Sequence, residues 1–456
     1  MNIKIMLPQS VSTIIHVLME HGFEAYAVGG CVRDSILGKE PADWDITTSA
    51  KPAQVKALFP RTIDTGLKHG TVTILMDRVG YEVTTYRIDG VYTDHRRPNT
   101  VTFTTNLKED LSRRDFTINA MAYNDTTGII DLFGGVDDLK AGIIRCVGDS
   151  ATRFDEDALR MLRAIRFSAQ LGFEIDSDTY QAILQKKRYL KKVSAERIQM
   201  ELLKLLISDH PDRIRTAYET GLTEIFFPEF DEMMHTPQNN PHHIYSVGEH
   251  TIHAITNIEP NPILRLTMLF HDIGKPSCKT TDDAGIDHFR GHHEVGSQMS
   301  KKILRRLKFD NRTIQLVSTL IYYHDVRFKD PETTGRRNIR KLMSDIGPSL
   351  FPYLIQVMQA DVSAQSTYLQ DKKLDLLERA KKVSEEITAA GDCLTLKELK
   401  ISGSDLKNLG IHEGKEIGSI LNLLLSMVLE NPKLNDFAYL KELALRIHRQ
   451  LGNPTE

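Results

Sequence analysis

The chain of 456 residues lacks any long apolar run. No stretch approaches the length needed to span a bilayer, and the N-terminus lacks a signal-peptide pattern. Only four cysteines are present, Cys31, Cys146, Cys278 and Cys393, and they are widely scattered, without the close pairs of a zinc site. These absences predict a cytoplasmic protein with reduced thiols and no membrane partner.

A large excess of charge of one sign is also missing. The formal net charge is only -3, so composition alone does not indicate a nucleic-acid ligand. A basic run such as residues 186–192 is more often a solvated helix face than a binding surface. The 41% hydrophobic and 26% charged content is typical of a globular protein, and the length suggests about three domains.

Strand and helix signals are unevenly distributed along the chain. Up to about residue 145 they alternate, whereas from Asp149 onward only helical periodicity remains, beginning with a predicted helix over residues 155–171. A proline- and asparagine-rich stretch at residues 236–241 interrupts the helical part. We therefore predict an α+β N-terminal head over residues 1–148, followed by three all-α parts: a neck (149–235), a third domain (236–365) and a tail (366–456).

An acidic pair follows two glycines near the N-terminus, in the sequence GGCVRDSILGKEPADWD of residues 29–45. Asp43 and Asp45 would face the same side of an extended strand, where they can hold a divalent cation. Gly29 and Gly30 allow backbone amides to approach a phosphate closely. Both features also occur in proteins without such a site, but together they suggest phosphoryl or nucleotidyl transfer.

Polar groups that suit a nucleotide follow in the head. Arg33 and Asp34 open a predicted helix, where a phosphate is favoured, although Arg33 could simply pair with Asp34. The segment LSRRDFTINAMAY, residues 111–123, predicts an apolar helix that begins with a polar cluster. Its candidate nucleotide-binding residues are Arg113 and Arg114 for phosphates, and Asp115 or Asn119 for a ribose hydroxyl.

The sequence EDALR, residues 156–160, places a carboxylate and a guanidinium three residues apart in a predicted long helix. Asp157 can accept from an exocyclic amine, and Arg160 can donate to a neighbouring ring nitrogen or carbonyl. Cytosine and adenine present an amine beside an acceptor, whereas guanine and uracil do not present that order. The pair could select C and A; the alternative is an intrahelical salt bridge.

Four segments together resemble one family: GGCVRD with DWD, RRDFTINAMAY, EDALRMLRAIRFSAQLGF and VSAERIQMELLKLL. Their order over the first 210 residues is similar to that in class II tRNA nucleotidyltransferases, the CCA-adding enzymes and their bacterial poly(A) polymerase relatives. The resemblance implies a polymerase-beta-like head in which Asp43 and Asp45 bind Mg²⁺ and catalyse transfer. It also implies that Asp157 and Arg160 act as a protein template for CTP and ATP, with tRNA as partner. The predicted nucleotide-binding set is Gly29, Gly30, Arg33, Asp34, Arg113, Arg114, Asp115, Asn119, Asp157, Arg160, Arg163 and Arg166.

Two details of this site stay open in the sequence. Glu82 is a candidate third carboxylate and Asp77, at a turn, a weaker one. Residues 87–98 contain a polar loop with Asp94, Arg96 and Arg97, which the resemblance associates with addition of the final A. An ordinary surface loop would look alike, and an A-adding enzyme or a poly(A) polymerase remains an alternative.

A separate series of histidines and aspartates lies between residues 242 and 361. Five or six such groups in a helical domain are poor core residues, and imidazole with carboxylate suits a divalent metal that activates water. LFHDIGKP and the flanking histidines resemble the HD superfamily of metal phosphohydrolases. The implied ligands are His250, His271, Asp272, His293 and Asp361, with His324 as a further candidate. His293 is preferred to His292 because it precedes Glu294.

The same resemblance implies phosphatase or phosphodiesterase activity, with Lys275 as a candidate phosphate contact; the metal stays unidentified. Residues 401–418 resemble a tail segment that grips the tRNA elbow, although their glycines also fit helix caps. Leu421, Leu424, Leu425 and Val428 follow helical spacing and predict core packing. The sequence leaves the oligomeric state open.

Overall fold

The structure, a computed structural model, describes residues 3–90, 100–328, 331–411 and 414–452. The chain forms two compact units, Met1–Asp231 and Glu232–Glu456. Within the described ranges, none of the helices combines the length and the apolar character that crossing a bilayer needs. The division into head, neck, third domain and tail at residues 148, 235 and 365 stays a prediction.

The first unit begins with a mixed sheet flanked by helices, as the α+β prediction requires. Its elements are α1 (Gln9–Glu20), β1 (Ala25–Val28), α2 (Gly30–Ile36), β2 (Ile46–Thr48), α3 (Pro52–Leu58), β3 (Thr62–Gly66), β4 (Thr71–Met76), β5 (Val79–Thr85), β6 (Arg87–Asp89), β7 (Val101–Phe103), α4 (Leu107–Ser112), β8 (Met121–Asn124), β9 (Gly128–Asp131) and α5 (Gly135–Ala141). The seven-stranded sheet has the order β3-β4-β5-β2-β1-β8-β9, and β6 pairs with β7 separately. β2 and β5 run parallel, with Ile46 opposite Val83.

The segment 111–123 differs from the predicted helix. α4 already ends at Ser112, a short 3-10 helix spans Thr117–Asn119, and β8 follows in the sheet. All four residues of β8 are buried. Because a strand buried on both faces carries no polar alternation, its apolar residues could not be distinguished from a helix by period.

Helices dominate the rest of the first unit. They are α6 (Ser150–Glu156), α7 (Leu159–Leu171), α8 (Ser177–Lys186), α9 (Ala195–Leu206), α10 (Ile214–Glu219), α11 (Thr223–Phe226) and α12 (Pro228–His235). The first unit ends within α12, at Asp231. β10 (Ile143–Ile144) pairs with β11 (Glu174–Ile175). The prediction of a single helix over residues 155–171 was wrong: α6 and α7 are separate helices. The backbone between them is extended at Asp157, with φ -137° and ψ 102°. The Asp157 carboxylate accepts from Leu159 N at 3.1 Å, a local bond that competes with helix continuation.

The second unit is almost entirely helical. Its elements are α13 (Val247–Thr256), α14 (Pro262–Phe270), α15 (Lys275–Cys278), β12 (Thr280–Thr281), β13 (Asp287–His288), α16 (His292–Arg306), α17 (Asn311–Tyr323), α18 (Pro331–Ile346), α19 (Phe351–Ser363), α20 (Gln370–Ala389), α21 (Gly403–Asn408), α22 (Gly414–Glu430) and α23 (Phe437–Gly452). α18 is kinked at Gly335, where φ is +68°. One core cluster includes Leu424, Leu425 and Val428 with Leu421 packed against it, which confirms the predicted stripe of α22.

Candidate active sites

The glycine turn joins β1 to α2. Gly29 has φ +83° and ψ -128°, a conformation that side chains rarely adopt. A Cβ at this position would lie 3.0 Å from Arg114 Nη1 and 3.7 Å from Asn119 O. The turn therefore requires glycine both for its backbone conformation and for the close approach of Arg114. Phosphate binding by Gly29 and Gly30 stays a prediction.

The acidic pair lies beside this turn. Asp43 and Asp45 precede β2, which starts at Ile46 rather than at Asp43 as predicted, but Asp45 O already accepts from Val28 N at 3.0 Å. Since Ile46 lies opposite Val83 in parallel register, Asp45 is the neighbour of Glu82 on β5. The sheet thus brings the candidate third carboxylate next to the pair. Asp77 has φ +51° in the turn between β4 and β5.

The electrostatics of Asp45 fit a cation. Its pKa is raised to about 6, first by desolvation from surrounding protein atoms, although the residue as a whole stays open to solvent. The neighbouring carboxylates of Asp43 and Glu82 raise the pKa further, and Arg114 opposes them. Carboxylate oxygens are the ligands that Mg²⁺ prefers, so the mutual repulsion of these three side chains is compatible with a magnesium ion, whose binding stays a prediction.

Arg113 and Arg114 are organised by a buried carboxylate that the sequence analysis missed. Asp110 is 0% exposed; it accepts from Arg113 Nε and Nη2 at 3.0 and 2.7 Å, and from Thr47 Oγ1 at 3.1 Å. Arg114 Nη2 lies 3.7 Å from Asp110 Oδ2. Burial would raise the pKa of Asp110, but the two arginines lower it overall. The i,i+3 and i,i+4 spacing in EDLSRR was the signal that could have identified Asp110.

Arg33 and Asp34 form the pair that the sequence analysis kept as the alternative. Arg33 Nε and Nη2 donate to the two oxygens of Asp34 at 2.8 and 2.9 Å, and Nη1 donates to Asn119 Oδ1 at 2.6 Å. The guanidinium also lies over the ring of Phe167, 5.1 Å from its centroid. Arg33 is therefore rigidly held between the head and the helix α7.

Asp115 is saturated by protein donors. Its Oδ1 accepts from Phe116 N at 2.8 Å and Asn119 Nδ2 at 3.1 Å, and its Oδ2 accepts from Arg163 Nε and Nη2 at 2.9 and 2.5 Å. Burial alone would raise the pKa of Asp115, but Arg163 and Asn119 hold it far below its usual range. In this structure Asp115 and Asn119 connect the segment before β8 to α7, through Arg163. A ribose contact of either residue stays a prediction.

Arg166 is committed to packing in the neck. Its Nε donates to Glu201 Oε2 at 2.8 Å, its Nη1 to Gln170 Oε1 at 2.8 Å, and its guanidinium lies 3.5 Å from the Phe167 centroid. Arg166 is 5% exposed and Glu201 3%. These contacts give Arg166 a structural role between α7 and α9, which its place in the sequence motif did not indicate.

Asp157 and Arg160 do not form the intrahelical salt bridge; each has another partner. Arg197 on α9 donates from Nη1 and Nη2 to the two oxygens of Asp157 at 3.2 and 2.7 Å. Arg160 Nη1 donates to Glu156 Oε2 at 2.5 Å, and Nη2 donates to Arg113 O at 2.7 Å. Both members of the pair are thus held in place from outside the pair, and Arg197 is a residue that the sequence analysis missed.

In the second unit, four histidines share one hydrogen-bond pattern at their Nδ1 atoms. The pairs are His250 with Ala364 O at 3.3 Å, His271 with Met268 O at 2.7 Å, His292 with Phe289 O at 2.8 Å, and His324 with Ile321 O at 2.6 Å. A carbonyl can only accept, so each Nδ1 carries a proton and each neutral ring has its lone pair at Nε2. This backbone support is typical of metal-binding histidines.

The Nε2 atoms converge in two groups. His250 Nε2 lies 3.3 Å from His271 Nε2 and 2.9 Å from Asp361 Oδ1. His292 Nε2 lies 3.2 Å from His324 Nε2. Two lone pairs that face each other at such distances need a proton or a cation between them. These imidazole nitrogens and the Asp361 carboxylate therefore fit a divalent metal ion.

Asp272 lies between the two groups. Its Oδ2 is 3.2 Å from His271 Nε2 and 3.6 Å from His250 Nε2, and its Oδ1 is 3.5 Å from His292 Nε2 and 3.8 Å from His324 Nε2. Burial would lower the pKa of His271, but Asp272 outweighs it and raises the pKa overall. The carboxylate thus faces both pairs of imidazoles with one oxygen each.

The structure places His292, the neighbour of the predicted ligand His293, next to Asp272 and His324. His292 is 6% exposed and faces Asp272 and His324, whereas the side chain of His293 is 29% exposed and lies near Tyr322, with a ring-centroid distance of 5.7 Å. Consecutive residues of a helix point about 100° apart, so His292 and His293 have different neighbours. His293 nevertheless forms a second possible metal group with His292 and Asp325, whose ligand atoms lie within 4.8 Å of one another. Metal binding by His293 stays a prediction, and His292 is a candidate ligand beside it.

A cavity of about 980 Å³ opens next to these ligands. Four cationic side chains line it: Lys275, Arg290, Arg327 and Lys373. Lys275 Nζ lies 2.7 Å from Asp272 Oδ2, and Lys373 Nζ donates to Gln365 Oε1 at 2.6 Å. The cavity therefore combines candidate metal ligands with positive charge, an arrangement that suits a phosphoester.

Three family models match the chain. They are described as the Poly A polymerase head domain, over residues 25–145, the probable RNA and SrmB-binding site of polymerase A, over residues 172–234, and the HD domain, over residues 242–379. A CCA-adding enzyme of Oceanobacillus iheyensis is 36% identical over 436 residues, which cover 95% of this chain and 96% of the relative.

This chain belongs to the family of CCA-adding enzymes. A solved structure of the Bacillus stearothermophilus CCA-adding enzyme in complex with CTP has 30% identity and a TM-score of 0.72, covering 98% of this chain and 99% of that one. The CCA-adding enzyme of Lactiplantibacillus plantarum is 55% identical over 203 residues, 44% of this chain. That match spans only half of the relative's length.

Family membership agrees with the order of the sequence motifs, and the HD match spans the histidine cluster. The family loop with Asp94, Arg96 and Arg97 lies outside the described residues; Arg87 and Asp89 at its start form β6. The basic run at residues 187–192 forms a 3-10 helix within the segment that matches the RNA-binding model.

Proposed function

We propose that the protein adds CCA to the 3′ ends of tRNA, using CTP and ATP without a nucleic-acid template. The support is membership of the CCA-adding enzyme family along nearly the whole chain. The observation that carries the proposal is the cluster of Asp43, Asp45 and Glu82 beside the Gly29 turn.

In the reaction, the tRNA 3′-hydroxyl oxygen loses its proton and bonds to the α-phosphorus of the nucleotide, and the bond to pyrophosphate breaks. Magnesium held by Asp43 and Asp45 would supply positive charge for the hydroxyl and the leaving group. Asp110 fixes Arg113 and Arg114 from behind, so the two guanidiniums are oriented before the triphosphate binds. Such preorganisation lowers the cost of stabilising the negative charge at the α-phosphate and on the departing pyrophosphate.

Base selection is assigned to Asp157 and Arg160. A carboxylate only accepts and a guanidinium only donates, so together they match the amine and the adjacent acceptor of cytosine or adenine. Uracil O4 and guanine O6 would face the carboxylate with an acceptor, which is repulsive. The same hydrogen-bond pairing would also let a poly(A) polymerase or an A-adding enzyme select adenine. The substrate test must therefore distinguish these activities.

The test is incorporation on tRNA transcripts that end at the discriminator base, with each nucleotide alone and in pairs. CTP alone should add two residues, and CTP with ATP should add three and then stop. Asp43→Ala should reduce the rate by at least about a thousandfold, because it removes a metal ligand. Long ladders from ATP alone on any RNA would overturn CCA addition in favour of a poly(A) polymerase.

We also assign a metal-dependent phosphohydrolase activity to the HD site. The Nδ1-supported histidines, Asp272 and Asp361 supply the ligands, and a divalent metal bound there would activate water for attack on phosphorus. Lys275 and Lys373 lie on the cavity side and suit the phosphate oxygens. Hydrolysis of a generic aryl phosphate and of a cyclic nucleotide, with each divalent metal in turn, tests this assignment; no turnover with any metal would overturn it.

A cytoplasmic location fits these proposals. All four cysteines are free thiols, and Cys31, Cys146 and Cys393 are buried. Immature tRNA and nucleoside triphosphates are found in the same reducing compartment. Fractionation with an antibody against the chain would check the location.

A further inference from the structure

A single arginine from a neighbouring helix orients the proposed base-reading carboxylate. Arg197 lies in the first turn of α9, after Ser194 at the N-cap, and reaches across to the junction between α6 and α7. Its two terminal nitrogens meet the two oxygens of Asp157 at 3.2 and 2.7 Å. Arg197 lies in the segment VSAERIQMELLKLL, but its residue type and spacing there did not indicate a role.

The bidentate contact with Arg197 fixes the orientation of the Asp157 carboxylate as well as its distance from the guanidinium. The terminal torsion of an aspartate is broad, so an unsupported carboxylate turns freely about its last bond. A planar guanidinium that donates to both oxygens holds the carboxylate plane in one orientation. Leu159 N adds a third bond to Oδ1 at 3.1 Å. Among the described residues, Oδ2 accepts only from Arg197, which leaves it acceptor capacity.

The pair is also placed where a nucleotide can reach it. The side chains of Asp157 and Arg197 are 17% and 23% exposed, so the contact is shielded from water but not sealed. Asp157 stands between Glu156, which holds Arg160, and the N-terminus of α7. The carboxylate and the guanidinium of the template pair are thus each supported from outside the pair.

We propose that Arg197 is a positioning residue for nucleobase selection, acting through Asp157. This inference rests on the proposed nucleotidyl transfer. A carboxylate held in one plane accepts from the amine of cytosine or adenine, and it cannot turn away from the carbonyl oxygen of uracil or guanine. Rejection of the wrong base requires that this repulsion be maintained. Without Arg197 the carboxylate can rotate, so the correct base loses an oriented acceptor and the wrong base escapes the repulsion.

The experiment compares Arg197→Gln and Arg197→Lys with the unaltered full-length chain. The values of kcat and KM are measured for CTP and UTP on tRNA ending at the discriminator base, and for ATP and GTP on tRNA ending in CC. Arg213→Gln is the matched control, because Arg213 makes a similar two-pronged contact with Glu174 in the same unit. Thermal unfolding of each variant reports on folding.

For Arg197→Gln we expect KM for CTP and ATP to rise, and the preference for CTP over UTP to fall about tenfold. Arg197→Lys keeps the charge but lacks the planar fork, so it should recover part of the affinity but little of the discrimination. Arg213→Gln should leave the preference unchanged.

Two results would overturn the inference. One is an unchanged preference in both Arg197 variants. The other is an equal loss with all four nucleotides, which would indicate a purely structural role. If the unaltered chain itself fails to add C or A to tRNA, the proposed function fails first, so the two failures are distinguishable.

Discussion

At the scale of single residues, the ability of the histidine–aspartate cluster in the second unit to bind a metal depends on which ring nitrogen of each histidine already makes a hydrogen bond. The Nδ1 atoms of His250, His271, His292 and His324 are held by backbone carbonyls. Their Nε2 lone pairs are therefore oriented toward Asp272 and Asp361 without further adjustment. His293, adjacent in sequence, instead lies with His292 and Asp325 in a more exposed group.

His292→Gln should lower the affinity for a divalent metal by at least about tenfold, because it removes a donor supported by Phe289 O. His293→Gln, one position away and on a different helix face, should bind metal as the unaltered protein does. Metal content after equilibrium dialysis, measured by elemental analysis, distinguishes the two. Equal losses in both variants would show that the geometry of α16 does not determine the ligands.

The buried Asp115 carboxylate determines a second property at the residue scale. Breaking its pair with Arg163 by Asp115→Asn should lower the free energy of unfolding by about 2 kcal/mol at neutral pH, since it leaves the Arg163 guanidinium, whose side chain is only 32% exposed, poorly paired. The pKa of Asp115 in the folded state is well below its usual range. Its contribution is therefore complete above the unfolded pKa and is lost as the pH falls toward the folded one.

The difference in unfolding free energy between the unaltered chain and Asp115→Asn should stay constant from about pH 8 to about pH 5 and shrink below about pH 4. Urea denaturation at a series of pH values measures it. A difference that grows as the pH falls would contradict the assignment, because its sign would require a raised pKa. Asp137→Asn is a suitable control, since the Asp137 side chain is 87% exposed.

At the scale of elements, close backbone contacts hold the metal cluster together. Gly274 at the start of α15 packs against the first turns of α16; a Cβ there would lie 2.2 Å from His292 O and 2.7 Å from Gly296 N. Its own φ of -80° is ordinary. The requirement for glycine at this position is therefore steric, and it connects the HDIGK turn to the helix that carries His292.

Gly274→Ala should displace α16 and destabilise the second unit by about 1–3 kcal/mol, because overpacked backbone cannot relax without moving the helix. Metal affinity should fall together with stability, since His292 moves. The control is Gly418→Ala on α22, where an added Cβ has no atom within 4 Å. Calorimetry measures the stability of both variants, and a metal-binding assay measures their affinity. If Gly274→Ala is as stable as the control, the backbone around Gly274 can accommodate a Cβ without destabilising the unit.

At the scale of the whole molecule, the two candidate sites belong to different compact units. Asp43 and Asp45 lie in Met1–Asp231, and His271 and Asp272 lie in Glu232–Glu456. Since the candidate ligands of each site lie in one unit only, the two proposed activities use different residues. They should therefore be separable by substitution.

Asp43→Ala should abolish nucleotide addition and leave phosphoester hydrolysis at the level of the unaltered protein. His271→Gln should do the reverse, since it removes a ligand of the HD cluster only. Both activities are assayed on the same preparations of full-length protein, with unfolding temperatures as the folding control. Joint loss of the two activities in either correctly folded variant would indicate that one site depends on the other.

Much of the head site could be predicted because its signals are local. Gly29 and the Asp43–Asp45 pair are recognisable within 17 residues of sequence, and the helix predicted after the glycines is present as α2. The helix break at Asp157 and the strand β8 were missed for different physical reasons. One side-chain bond to Leu159 N ends a periodic pattern, and burial on both faces removes the alternation of a strand.

The amino-acid sequence by itself determined the class of chemistry and its order along the chain, because residue types and short spacings set which ligands and charges are available. Tertiary structure alone decided the partners: Glu82 beside Asp45, Asp110 behind the two arginines, Arg197 on Asp157, and His292 beside Asp272. These pairings depend on strand register and on the rotation of each helix about its axis. Both are set by packing between segments far apart in the chain, which no local pattern records.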